Sequence, residues 1–264
     1  MSDRKFTVTY KIVRALIDTF YPRYEIVGAE KLPKEGVILV GNHSQMDGPI
    51  VGELSIPDPH RIWCVEEMMY RKQVPAYAFR DFWSQKPKWS HPFYRLLAYL
   101  IAPISAALFR NPDTIAVYRD ARIKSTFKQT MSALEEGANV IIFPEHDEPH
   151  NQIVYDFQRN FVDVARLYHR RTKKELAFVP MYIAPAFRKV YLGEAIRYCP
   201  DASLEEERER ICRYCMDEIT AIAVSLPEHT VVPYRNFPKK LRPKNTDHNW
   251  QPPRKNEDGV IESK

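Results

Sequence analysis

Short apolar runs alternate along this chain with longer stretches in which apolar residues return every three or four positions. Val37-Ile38-Leu39-Val40, Ile62-Trp63-Cys64-Val65, Thr114 to Tyr118, Val140-Ile141-Ile142-Phe143 and Leu176 to Ile183 are runs of strand length without polar alternation. That is the pattern of strands buried on both faces. Tyr24 to Gly28 and Val190 to Gly193 read as shorter strands. Helical spacing covers 7–21, with Val8, Ile12, Val13, Leu16, Ile17 and Phe20 on one stripe. It recurs over 126–136, closed by Gly137, over 153–171, and from Leu204 to about Ser225 behind the capping residues Asp201-Ala202-Ser203. Leu96 to Phe109 is apolar, short and interrupted by Pro103, which predicts a buried helix rather than a membrane span. Residues 66–93, rich in Tyr, Phe, Trp, Lys and Pro, read as an irregular lid or a set of short helices.

Strands alternating with helices predict a single-domain α/β sandwich with a mixed, largely parallel central sheet. The expected divisions are an N-terminal amphipathic helix over 1–23, an α/β domain over 24–233 and a flexible tail over 234–264, where apolar residues become scarce. The helix at 7–21 either packs on the core or lies in a membrane interface.

Composition changes this picture little. With 264 residues there is ample material for one large core, and a net charge of +5 suits an anionic substrate or membrane surface but argues against nucleic acid. Cys64, Cys199, Cys212 and Cys215 form no disulfide framework, and Cys212 and Cys215 share one helix with no partner His pair, so reduced thiols are expected and zinc is not. No leader peptide and no apolar run of about 20 residues is read, which predicts a cytoplasmic protein held peripherally at a membrane.

Two polar clusters follow two of the apolar runs. Gly41-Asn42-His43-Ser44-Gln45-Met46-Asp47 follows the first, and Glu145-His146-Asp147-Glu148-Pro149-His150-Asn151 follows Val140 to Phe143. Ligands of α/β sheets bind beyond the carboxyl ends of the strands, so the clusters suggest one shared site. Imidazole titrates near neutrality and a carboxylate can fix its tautomer, which makes His43 a candidate general base and Asp47 its orienting acid.

These motifs, in this order, resemble the glycerolipid acyltransferase superfamily of lysophosphatidate and glycerol-phosphate acyltransferases. Asn42-His43 through Asp47 is similar to its first block, Ile115 to Arg119 to its second, Ile142-Phe143-Pro144-Glu145 to its third and Val179-Pro180-Met181-Tyr182 to its fourth. Gly193-Glu194-Ala195-Ile196 stands near a further common segment. The resemblance implies an acyl tunnel and a membrane-surface site. His43 and Asp47 would be catalytic; Asn42, Arg119, Pro144, Glu145, His146 and Asp147 would lie at the substrate. No cofactor is implied, since acyl-coenzyme A or an acyl carrier protein is a co-substrate. The acceptor would be lipid-like.

The chain departs from that family twice. Only Ser44, Gln45 and Met46 separate His43 from Asp47, one residue fewer than usual, which on a helix turns the carboxylate by about 100°. His146-Asp147-Glu148 stands where the family has a small residue and a phosphate-binding Arg. Carboxylates there repel phosphate, so lysophosphatidate and glycerol 3-phosphate are expected to be poor acceptors and a neutral or cationic head group a better one. Arg119 is either a phosphate ligand or the partner of Asp120 or Glu145. Two other functions remain open: an acyl-chain-binding relative without catalysis, and a metal-dependent hydrolase using His43, Asp47, His146, Asp147 and His150. The second requires His146 and His150 to share a helix, which Pro149 opposes. The sequence leaves the oligomeric state open.

Overall fold

In the computed structural model, residues 7–253 are described, except Gln85 and Pro112. The chain begins with α1 (Val8–Phe20), β1 (Glu25–Val27), β2 (Ile38–Gly41), α2 (Asp47–Ser55) and β3 (His60–Val65). Two short helices, α3 (Glu66–Met69) and α4 (Val74–Ala78), and a π-helical turn at Phe79–Trp83 lead into α5 (His91–Phe109). Then come β4 (Thr114–Val117), α6 (Ile123–Glu135), β5 (Asn139–Ile142), β6 (Glu145–Pro149) and β7 (Tyr155–Phe157). The order ends with α7 (Asp163–Thr172), β8 (Ala177–Ala184), β9 (Lys189–Leu192), β10 (Ile196–Arg197) and α8 (Leu204–Ser225).

Two compact units result. The larger comprises Arg23–Ile62 and Phe127–Gln251; the smaller comprises the described residues of Met1–Pro22, Trp63–Thr126 and Pro252–Lys264. In the larger unit the strand order is β1-β9-β8-β2-β5-β3, with β10 on β8. The pairs β2–β5, β2–β8, β3–β5 and β1–β9 are parallel, while β8–β9 and β8–β10 are antiparallel. The sheet is therefore mixed and largely parallel, and the fold is α/β, as the alternation of periods predicts. All eight residues of β8 are buried, because β2 and β9 flank it and α8 packs over it. The start of α8 is fixed by a capping box. The Ser203 hydroxyl accepts the Glu206 N–H at 3.3 Å, and the Glu206 carboxylate accepts the Ser203 N–H at 2.9 Å.

The smaller unit has its own core of Tyr10, Met68, Met69, Val74, Ala98 and Ala102, among others, with Val13 and Ile17 packed against it. The Tyr10 face of α1 belongs to this core, the first of the two placements that the sequence leaves open for the helix. The core-facing stripe of α5 is mostly small, including Ala98, Ala102 and Ser105, so its large apolar side chains lie elsewhere on the helix. Leu96, Tyr99, Leu100 and Ile104 are all at least half exposed, and the expected buried helix is corrected accordingly. The segment Lys88–Phe109 is long and apolar enough to cross a membrane by length and composition.

Two further expectations change. No single helix spans 153–171: Tyr155–Phe157 pairs with β6 as a hairpin, and the helix starts only at Asp163. Chain packing also continues beyond Tyr234. Phe237 is 2% exposed and Asn245 fully buried, while Trp250 meets the Phe237 ring at 6.0 Å. The scarcity of apolar residues there is offset by backbone hydrogen bonds that a few well-placed side chains organise. Residues 254–264 of the expected tail lie outside the described residues. All four cysteines are free thiols, and burial pushes Cys64 and Cys212 up to about 12.

Candidate active site

The two polar clusters meet because β2 and β5 are parallel neighbours in register. Val40 lies opposite Ile142, so the two strands end side by side and the chain beyond each brings His43 and Glu145 together. The His43 backbone N–H donates to Glu145 Oε2 at 2.5 Å, and the Tyr155 N–H donates to Oε1 at 2.8 Å. Glu145 is 2% exposed. Burial pushes its carboxyl up to about 7, against the two N–H donors that favour its charged form. With both oxygens engaged, Glu145 supports His43 from beneath and does not present itself to an acceptor.

Asn42 does similar work on the other side. Its Oδ1 accepts the Ile183 N–H at 2.7 Å, while its Nδ2 donates to Ile183 O at 3.2 Å and to Ser44 Oγ at 2.8 Å. The side chain therefore fastens the end of β2 to β8 and fixes the next turn. Pro144 is buried, and its carbonyl accepts the Gln158 N–H at 2.8 Å. These two residues also belong to the support rather than to an open surface.

The turn itself is unusual. Ser44 and Gln45 have φ of 44° and 55°, two successive non-glycine residues in the left-handed region. Conformations of this kind cost about 1–3 kcal/mol each and persist only where neighbours enforce them. The chain then folds back: the Asp47 N–H donates to Ser44 O and the Gly48 N–H to His43 O, both at 3.1 Å. A β-carbon at Gly48 would lie 2.2 Å from the His43 carbonyl oxygen, so only glycine allows this closure. Asp47 opens α2, where the positive end of the helix dipole favours a carboxylate. His43 and Asp47 are thus placed by a tight turn and a helix start, not by one regular helix. The half-buried His43 ring has Phe143 at 5.4 Å and Tyr234 edge-on at 5.8 Å.

The remaining candidates sit on the β6–β7 hairpin or in the other unit. His146 Nε2 lies 3.4 Å from Asp156 and His150 Nε2 3.6 Å from Asp217, while Asp147 pairs with Arg235 at 3.1 Å. Because Glu145–Pro149 is a strand, the helical His146–His150 spacing that a metal would need does not form. Among the described residues no three His, Cys, Asp or Glu side chains are grouped to hold a metal ion. Arg119 is exposed just after β4 in the smaller unit. The local ion pair considered for it belongs to Arg122, which binds Asp120 at 2.7 Å and Glu66 at 2.6 Å.

Sequence patterns did not point to Tyr155, Tyr234, Arg235 or Arg242 in this neighbourhood. Arg242 Nη2 donates to Gln45 Oε1 at 3.2 Å. The visible signal for the last three is the short apolar run Val231-Val232-Pro233-Tyr234 ahead of the polar segment.

No known protein family and no curated protein sequence matches this chain. Among solved structures, it is similar to the 1-acyl-sn-glycerophosphate (LPA) acyltransferase PlsC from Thermotoga maritima, at 16% identity and a TM-score of 0.41. That alignment covers 81% of this chain and 78% of the other.

Proposed function

We propose that the protein transfers a fatty acyl group from an acyl thioester to a hydroxyl or amine acceptor, with His43 as general base. The observation that carries this reading is the built turn at the carboxyl end of β2. A half-buried imidazole stands there on a backbone fixed by Glu145, and a helix-opening carboxylate follows it. His43 would take the proton of the acceptor as its oxygen or nitrogen attacks the thioester carbonyl, and would return it to the departing thiolate. Asp47 would orient the imidazole and stabilise its cation. The reading needs no metal and no covalent enzyme intermediate.

The acceptor is proposed to be neutral or cationic at its head group. Asp147 pairs with Arg235 and His146 faces Asp156, while Glu148 is exposed on the same hairpin, so carboxylates stand where a phosphate would have to bind. The test is a panel of acceptors differing in head-group charge, incubated with labelled acyl thioesters. Alcohol or amine head groups are expected to be acylated and lysophosphatidate poorly. Efficient, His43-dependent acylation of lysophosphatidate would refute the charge argument, and no transfer to any acceptor would favour an acyl-binding module.

A peripheral membrane location is part of the proposal. In the smaller unit α1 exposes Val8, Ile12, Leu16 and Phe20 at four-residue spacing, with Phe20 at 83%, and α5 exposes Leu96, Tyr99, Leu100 and Ile104. Contiguous apolar faces of this kind mark interaction with lipid or protein. The double variant Leu16→Glu/Leu100→Glu is expected to lose sedimentation with anionic vesicles while keeping its melting temperature, because neither side chain is in the core. Undiminished sedimentation of that variant would rule out this face.

A further inference from the structure

Residues 229–245 form a loop whose base is closed by its own backbone. The Val231 N–H donates to Pro243 O at 2.8 Å, and the Asn245 N–H donates to His229 O at 3.0 Å. Asn245 Oδ1 accepts the His229 N–H at 2.9 Å, and its Nδ2 reaches Ala223 O at 2.9 Å and Leu226 O at 3.1 Å, at the end of α8. The His229 ring is held between the Tyr182 hydroxyl at 2.7 Å and Pro227 O at 2.8 Å. With this base fixed, the tip of the loop lies over the turn that carries His43.

The contact is specific. Gln45 lies in the left-handed region, and its carboxamide faces three groups of the loop. Nε2 donates to Arg235 O at 3.3 Å and Pro233 O at 3.4 Å, while Oε1 accepts from Arg242 Nη2 at 3.2 Å. Tyr234 stands edge-on to the His43 ring, and Arg235 binds Asp147. Burial favours loss of the Arg242 proton and the Asp47 carboxylate opposes it, so that charge acts on Arg242.

We propose that the 229–245 loop is part of the catalytic apparatus, and that Gln45 and Arg242 are positioning residues which hold the strained turn bearing His43 and Asp47. A shortened turn with two left-handed residues needs an external clamp, and the Gln45 carboxamide is where the loop supplies it. The same contact sets Tyr234 against the imidazole, so loosening it both moves His43 and uncovers one side of its ring. The kinetic part of this proposal rests on the acyl-transfer reading; the structural part does not.

The test uses the full chain and the variants Gln45→Ala, Arg242→Ala and Arg242→Lys. The first measurement is the rate at which diethyl pyrocarbonate modifies His43, followed by peptide mass spectrometry; the second is kcat and KM for acyl transfer. Both alanine variants are expected to raise the His43 modification rate severalfold. They should lower kcat on the order of tenfold to a hundredfold, as a displaced catalytic group does, with KM for the thioester little changed. Arg242→Lys keeps the charge near Asp47 but not the planar reach to Gln45, so it should fall between wild type and Arg242→Ala. It also serves if an alanine variant fails to fold. Unchanged His43 modification in a folded variant, or an unchanged kcat, overturns the proposal. Altered His43 modification in a protein that acylates no acceptor supports the clamp and defeats the acyl-transfer reading.

Discussion

His43→Ala is expected to remove acyl transfer while leaving a folded protein. General-base catalysis contributes about 10²–10⁴-fold, and the alanine side chain has no group that could replace the imidazole. The half-buried ring lies 5.4 Å from Phe143 and 5.8 Å from Tyr234, and the substitution removes both of these ring contacts. Such ring pairs are worth about 0.5–1.5 kcal/mol each beyond area burial. Each kcal/mol lowers the melting temperature of a chain this size by about 2–4 °C, so a drop of a few degrees is expected. The measurement is single-turnover transfer from a labelled thioester to the best acceptor of the panel, beside a thermal melt. Transfer by folded His43→Ala within a few-fold of wild type would take His43 out of the mechanism. The backbone N–H to Glu145 survives this substitution, which keeps the outcome specific to the imidazole.

The sheet was legible because its central strands are apolar on both faces. Val37–Val40, Val140–Phe143 and Leu176–Ile183 correspond to β2, β5 and β8, whose buried positions admit no other pattern. The meeting of the two polar clusters was legible for the same reason. Each cluster begins at or just beyond the end of its strand, and the parallel register of Val40 with Ile142 puts both strand ends at the same edge of the sheet. What escaped depended on hydrogen bonds rather than apolar surface. The span 153–171 carries helical periodicity, yet a buried Glu145 carboxylate accepts the Tyr155 N–H and draws the chain into a hairpin. The segment after Tyr234 has too few apolar residues to predict packing. It packs because Asn245, fully buried, satisfies backbone groups from three places in the chain. The left-handed conformation of Ser44 and Gln45 had no signal either, since neither residue type advertises it. In α5 the error was one of facing: small residues took the core side, and the large apolar ones remained outside.

Glu145→Ala is expected to be the most destabilising substitution in the site. It leaves the His43 and Tyr155 N–H groups without their acceptor in a region where the side chain is 2% exposed. Each stranded buried donor costs about 1–3 kcal/mol, and the vacated volume adds to that. Together these predict a fall in melting temperature of roughly 10 °C for a chain of this length, together with loss of transfer. Glu145→Gln keeps one acceptor and turns its amide toward the other donor, so it should fall between wild type and alanine. The two substitutions also separate charge from shape through pH. Burial raises the Glu145 carboxyl from 4.5 to about 7, so the folded state keeps a proton that the unfolded chain releases. The stabilisation from that proton is complete below about 4.5 and is lost as pH rises through about 7. Its size is on the order of 3 kcal/mol, at about 1.4 kcal/mol per pH unit. Glutamine has no proton to lose. The stability difference between wild type and Glu145→Gln, measured by urea denaturation, should therefore shrink between pH 5 and pH 8. Parallel behaviour of the two proteins over that range would mean that Glu145 is already ionised at pH 5, and that its two N–H donors outweigh burial.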